Sequence, residues 1–585
     1  MPEGTPLLCG SRRIIFGVVT FRRNPAILFL TAALLAVVFL FLTGPRAPIP
    51  VAAKPSAAGS QTVRGAYHIH TSRSDGALDK TRIAAAAAEA GLQFAVFTDH
   101  GNGTRAPDPP AYIHGVLCID GVEISTNDGH YVAVGMPAAP YPLGGDAEAV
   151  AEDVKRLGGF GVAAHPTSPR TELSWSDWNV PVDGLEWLNA DSEWRDERRL
   201  RLARAVLDYL WRPVGALGTL LDRPSEALHR WDQLAAKRSI VALAAHDAHG
   251  GFGSETGAQR GRRLHVPSYG ASFRTFSVHA VLSTSLSGDA SADAESLIRA
   301  IRTGAVYSVV DAVATPASLD YRATDQSHTF TMGQVIPDAN GPVVFKVRAS
   351  VPPGSVTLLN RNGQAIAKAN GGVLDHEDSM IGAYRVEIQA PGAPGVPPVP
   401  WLVSNPIYVR SSESPTTSAP ASETDVLLPL SRRGWRLESG PSSSGTVGSS
   451  DGSLSMAYQL GDDQGGSQFV ALVADLAQVP AESTLIRLHG RADRPMRLSA
   501  QLRFAGSQDR RWGRSVYLAP IEREIRISLA RLRSLDGSEG GRPAAVPLPP
   551  VETATSLLFV IDLTNNTRGG KGVVTLRDVA FARDR

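Results

Sequence analysis

From residue 61 onward, short apolar runs alternate with stretches that repeat at helical spacing. FAVF at 94–97, VLCIDGVE at 116–123, HYVAVG at 130–135, FGVAA at 160–164 and IVALAA at 240–245 read as buried strands. Between them lie Ala-rich or amphipathic segments with acidic N-caps. Asp79 begins one that Gly91 ends, another runs from Asp146 to Gly158, and Asp293 to Gly304 reads as the last. Strands alternating with helices predict a parallel sheet with helices outside it, so the expected fold class is α/β.

Near residue 325 the pattern changes. VVFKVRA, VTLLNRNGQAIA with a turn at Asn362-Gly363, AYRVEI and WLVSNPIYVR are short strands with turn punctuation, which predicts a small β-sandwich over 325–410. Residues 411–424, SSESPTTSAPASET, have linker composition. The region 425–585 returns to strands (SQFVALVADL, MRLSAQLRF, SLLFVIDLTN) and reads as a jelly-roll-like β-domain. There Trp435, Trp512 and Tyr517 are the candidates for stacking on a glycan, set against ordinary core packing, which is the commoner use of such rings.

Ahead of all this, Pro25 to Gly44 carries no charge, long enough to cross a bilayer core of ~30 Å. Arg12, Arg13, Arg22 and Arg23 precede it and only Arg46 and Lys54 follow closely. The asymmetry predicts a cytoplasmic tail at 1–24, a transmembrane helix at 25–44, a linker at 45–60 and everything later outside the cytoplasm, periplasmic or at the cell surface. A cleaved signal peptide, with VAA at 51–53 as its cleavage site, is the competing expectation. The two cysteines, Cys9 and Cys118, fall on opposite sides of that span, which excludes a disulfide scaffold. A formal net charge of +1 gives no overall field toward nucleic acid.

The chemistry sits where the apolar runs stop. YHIHTSRSDG supplies His68, His70 and Asp75; Asp99 and His100 follow FAVFT; Glu123 closes VLCIDGVE; His130 opens HYVAVG; His165 closes FGVAAHP; His246, Asp247 and His249 close IVALAAHDAHG. A single histidine is more often a satisfied core or surface residue, but nine of the fourteen lie between 68 and 249, most of them beside carboxylates at strand ends. Residues i and i+2 of a strand share a face, so His68 and His70 can reach one cation. No cysteine takes part, and an imidazole–carboxylate set suits zinc, manganese or iron, with Glu123 placed to bridge two ions.

HIHTSRSDG, TDHG, GVEIST with GH seven residues after its Glu, AHP and DAHG, in that order, resemble the successive motifs of the PHP (polymerase and histidinol phosphatase) superfamily of metal-dependent phosphoesterases. The resemblance covers about 61–324 and implies a distorted (β/α)7 barrel with two or three divalent ions. It places His68, His70, Glu123 and Asp247 on one ion, Glu123, His130 and His165 on a second, and Asp75, His100 and His249 on a third. The chain departs from the pattern at His246 and in a long insertion between His165 and Asp247.

The expected function is therefore an extracytoplasmic, membrane-anchored hydrolase that cleaves a phosphomonoester or phosphodiester with a metal-activated hydroxide. Asp99 would orient an imidazole, His246 or His249 would protonate the leaving oxygen, and Arg170 would grip a phosphate oxygen. The alternatives are a carboxylester or amide hydrolase on the same metals and an inactive, metal-filled protein that binds envelope glycan.

Overall fold

The computed structural model describes residues 29–31, 34, 38, 42–52, 61–251, 266–337, 341–411, 424–431, 433–450, 452–464, 466–505, 510–535 and 546–584. The expected tail 1–24 lies outside them, as do most of the span 25–44 and all of the linker 411–424 but its two end residues. Among the described residues, no helix is long and apolar enough to cross a membrane.

Residues 61–309 form the α/β part. In chain order its main elements are β1 (Gln61–Ile69), α1 (Lys80–Glu89), β2 (Phe94–Phe97), β3 (Val116–Thr126), β4 (Gly129–Val134), α2 (Ala147–Arg156), β5 (Phe160–Ala163), β6 (Gly184–Asn189), α3 (Ser225–Lys237), β7 (Val241–Ala245), β8 (Ser277–Leu282), α4 (Ala290–Arg302) and β9 (Val306–Val309). The sheet runs β9-β8-β1-β2-β3-β4-β5-β6-β7. β1, β2 and β3 are mutually parallel, as are β5, β6 and β7, while β4 is antiparallel to both neighbours. Beyond β7, the His246 and Ala248 amides donate to the carbonyls of Tyr67 and His68, and the His70 amide to that of Ala248. The chain just past β7 thus lies against the carboxyl end of β1.

Helix starts follow the chain's own caps. Asp79 accepts from the Arg82 amide and Asp146 from the Glu148 amide. The last helix is capped by Asp289 instead of Asp293. Asp293 sits one turn inside and accepts from the Ser287 and Gly288 amides and from the Tyr112 hydroxyl.

Two sequence expectations need correction. The insertion between His165 and Asp247 contains β6, fully buried, as a strand of the same sheet. Glu123 does not close its strand: β3 continues to Thr126 because it pairs with β4 as a hairpin.

The β-sandwich reaches back before 325, since Ser318–Thr324 already pairs with Val343–Ser350. It is also continuous with the α/β sheet. Leu402–Ser404 pairs with β9, and Gly382–Gln389 pairs in turn with Leu402–Ser404. Asn405 bonds through its side chain to Ala242 and Val306, and the Tyr408 hydroxyl to both backbone groups of Ile240. One core accordingly holds Trp187, Trp231 and Tyr307 together with Phe345, Tyr384 and Trp401.

The terminal domain is two six-stranded sheets around a core of its own. Trp512 is buried in that core and Trp435 stacks on Phe559, while Tyr517 lies under the guanidinium of Arg156 from α2. All three glycan-stacking candidates are packing residues, the commoner use that the sequence reading set against them. Composition of the linker suggests a module that folds apart, yet Arg497 of the strand Met496–Phe504 is buried against α2. It donates to Asp153 (2.6 and 3.0 Å), Glu152 (3.1 Å) and the Ala149 carbonyl (2.8 Å).

Candidate metal centre

The strand ends deliver the ligand candidates to one place. His68 lies near the end of β1 and His70 one residue past it; His68 has a positive φ of 64°, and both Nε2 atoms reach Glu123 and Asp247. The following loop doubles back so that Asp75 faces His70. Gly76 permits this, because a Cβ there would stand 2.3 Å from the His70 carbonyl oxygen. The loop is braced by Asp99, which accepts from the Thr71 amide (2.7 Å) and from the hydroxyls of Thr71 (2.8 Å) and Ser74 (2.6 Å). Asp99 therefore positions His70 through Ser74 Oγ, 3.4 Å from His70 Nδ1, and does not hold the ring of His100.

Four ligands around one ion at about 2.0–2.2 Å are about 3.3–3.6 Å apart if tetrahedral. Nε2 of His68 is 3.3 Å from Glu123 Oε2 and 3.5 Å from Asp247 Oδ1, and Nε2 of His70 is 3.1 and 3.4 Å from the same atoms. Each of the two imidazoles thus stands at ligand–ligand distance from both carboxylates. Glu123 turns its other oxygen to His130 Nδ1 (2.8 Å) and His165 Nε2 (2.9 Å). Asp75 Oδ2 lies 3.1 Å from His249 Nε2 and 3.5 Å from His100 Nε2. Three groupings bring one ligand atom per residue within 4.8 Å of each other: His70, Asp75, His100 and His249; His68, His70 and Glu123; His100, Glu123 and His130. Glu123 is common to two of them, and His70 joins the first to the second.

The far nitrogens settle which atom faces the cluster. His68 Nδ1–H donates to Glu186 (2.6 Å), His165 Nδ1–H to the Leu173 carbonyl (3.1 Å) and His249 Nδ1–H to the Asp247 carbonyl (2.9 Å). Each of these rings is left with an Nε2 lone pair directed inward, the tautomer a metal ligand needs.

Electrostatics agree. Burial works against the imidazolium of His68, but Glu186, Asp247 and Glu123 outweigh it; Asp247, Asp75 and Glu123 do so for His70, and both titrate well above the usual histidine range. Burial also opposes the charge on Glu123, yet His68, His130 and His165 hold its carboxyl well below the carboxylate range. The site is built to keep anions charged in the interior, and a dication entering it displaces protons, so metal affinity falls as pH is lowered.

Two predicted residues stand elsewhere. His246 turns away from the cluster: it is buried, its ring stacks on Phe276 (4.3 Å), its Nε2–H donates to the Phe276 carbonyl, and burial pushes its pKa down to about 4. Arg170 is exposed, its backbone amide meeting Ser168 Oγ at 3.4 Å in its own turn.

Sequence reasoning missed Glu186 and Asn189 at the end of β6. Glu186 takes the His68 proton and accepts the His165 amide (2.7 Å), and Asn189 donates to Glu186 (2.8 Å) and Asp247 (3.4 Å). The available signal was a lone acid inside the apolar run GLEWLN, where a buried charge is costly unless paired. Glu186→Gln is expected to weaken metal binding by about 10–100-fold, since it removes the charge and leaves one acceptor oxygen where the carboxylate serves His68 with one and the His165 amide and Asn189 with the other. Competition against a chromogenic chelator measures this, and unchanged affinity would show that Glu186 does not set the ligand.

No family model matches the chain, and no curated protein matches it. Among solved structures, it is similar to a two-domain protein containing a predicted PHP-like metal-dependent phosphoesterase from Bacteroides vulgatus, with 14% identity over 62% of this chain and 100% of that one and a TM-score of 0.30. A Family 11 carbohydrate-binding module from Clostridium thermocellum is similar at 15% identity over 26% of this chain and 94% of that one, with a TM-score of 0.22. Scores this low decide neither fold nor function.

Proposed function

We propose that this chain is a metal-dependent phosphoesterase of the PHP type, anchored in a membrane by residues 25–44, with its α/β domain outside the cytoplasm. The observation that carries the chemistry is the convergence of six imidazoles and three carboxylates on overlapping ligand groups that share Glu123 and His70. The location rests on the uncharged segment and the arginines before it. Hydrogen bonds from 246–248 back to 67–70 support reading the strand series as a distorted (β/α)7 barrel.

His68, His70, Glu123 and Asp247 would hold one ion; His130 and His165, with Glu123, a second; Asp75, His100 and His249 a third. When bound, such ions polarise a phosphoryl oxygen and lower the pKa of a water. The chain's own residues do the rest. Glu186 and Asn189 orient His68 and Asp247, Asp99 and Ser74 hold the loop that presents Asp75, and Glu123 keeps its charge although buried. Of the two histidines considered for the leaving oxygen, the burial and low pKa of His246 speak for His249, about a quarter exposed, which could serve as the donor only while it does not hold the third ion.

The test uses the full-length protein in detergent with chromogenic phosphodiester, phosphomonoester and carboxylester probes, together with metal analysis. At least two ions per chain are expected, with phosphoester hydrolysis abolished by a chelator and restored by added zinc, manganese or iron. Hydrolysis of the carboxylester alone would replace the phosphoesterase reading with acyl chemistry. Fewer than two ions on folded protein would end it.

A further inference from the structure

Between the α/β domain and the terminal sandwich lies a cleft of about 1190 Å³ that none of the ligand candidates lines. Its floor is the outer face of the strand Met496–Phe504. There Arg497, Ser499 and Gln501 alternate with Leu498, Ala500 and Leu502, which enter the sandwich core. The α/β domain supplies the facing wall with Asn127, Ser176 and Asn179. Ion pairs from Arg514 to Glu148 and from Arg533 to Asp177 join the two walls.

Three properties of the lining select a ligand. Among the described residues its arginines and carboxylates are equal in number, five of each, so they set up no net field to concentrate a polyanion. The groups between these charges are neutral hydroxyls and carboxamides, which both donate and accept, and Ser515 Oγ in the lining is buried without a hydrogen-bond partner among the described residues. Phe469 and Val560 add an apolar strip. The volume exceeds the roughly 300–1,000 Å³ of small-molecule sites, which points to an extended ligand.

We infer that this cleft binds a neutral, polyhydroxylated chain, an oligosaccharide segment, gripped by both domains at once. Such binding is independent of the metals and of the phosphoesterase reading. Full-length protein should be titrated calorimetrically with cellohexaose, maltohexaose, chitohexaose and, as an anionic counterpart, a heparin hexasaccharide. At least one neutral hexasaccharide is expected to bind, also after a chelator has emptied the cluster. Gln501→Leu on the floor and Asn179→Leu on the wall should each weaken it by tenfold or more, with the melting temperature unchanged. Asn179 is exposed, so its substitution tests the cleft even if Gln501→Leu disturbs folding. Binding by none of the neutral chains, binding by heparin alone, or affinity that stays within threefold in the Asn179 variant would each overturn the inference.

Discussion

Glu123→Gln is expected to cost the protein at least one of its ions and to lower phosphoester turnover by well over the ~100-fold typical of losing an outer ligand partner. Both carboxylate oxygens are engaged: Oε2 stands among His68, His70 and His100, Oε1 between His130 and His165. A carboxamide of the same shape offers one oxygen and no charge, so it cannot bridge two dications. It would also leave the surrounding imidazoles without the anion that balances them when protonated, in a site where Glu123 is about 1% exposed. Metal content and turnover should therefore fall together, while His229→Ala, at an exposed helix position where the ring accepts from the Gln233 carboxamide, should change neither. Retention of both ions by the Glu123 variant would mean that the cluster is assembled differently.

The second large effect is on stability. Arg497→Ala should destabilise the protein by about 3–5 kcal/mol, the usual cost of leaving one member of a buried ion pair uncompensated. Arg497 and Asp153 are each within 2% of full burial. Arg156 also pairs with Asp153, which places the expectation toward the lower figure. Denaturant unfolding of the full-length chain reads the change. Because the contact is far from the ligand groups, metal stoichiometry should be unaltered, and a loss below about 1 kcal/mol would show that the two domains are held by their rims instead.

Much of this was legible in the sequence, for physical reasons that differ from residue to residue. His68 and His70 announce themselves because a His-x-His pair at the end of an apolar run can offer both rings to one cation, although His68 leaves regular strand geometry to do so. Asn362-Gly363 announces a hairpin because both residues adopt positive φ, 50° and 83°, which this pair tolerates. His246 was misjudged because adjacency to Asp247 says nothing about direction: both lie past the end of β7, and His246 turns to Phe276 while Asp247 turns to His68 and His70. Asp289 was overlooked for Asp293 because both are acids at the start of the same helix, and only the backbone shows which one caps it. Glu186 was hidden in a segment whose tryptophans drew attention to packing. Arg497 could not be found at all. An arginine on the polar face of a strand is ordinary, and its partner Asp153 is 344 residues away.

The pairing of Leu402–Ser404 with β9 gives the middle sandwich a role besides whatever it binds. Without it β9 would end the sheet, presenting a row of unsatisfied amides and carbonyls on a four-residue strand of wholly buried side chains. Such an edge is a template for another chain, and proteins that keep one in the open aggregate or swap strands. The sandwich thus covers the edge of the sheet, and trimming the chain at 324, where sequence composition places the border, is expected to expose β9 and promote self-association, whereas a chain that extends to about residue 410 keeps the edge paired.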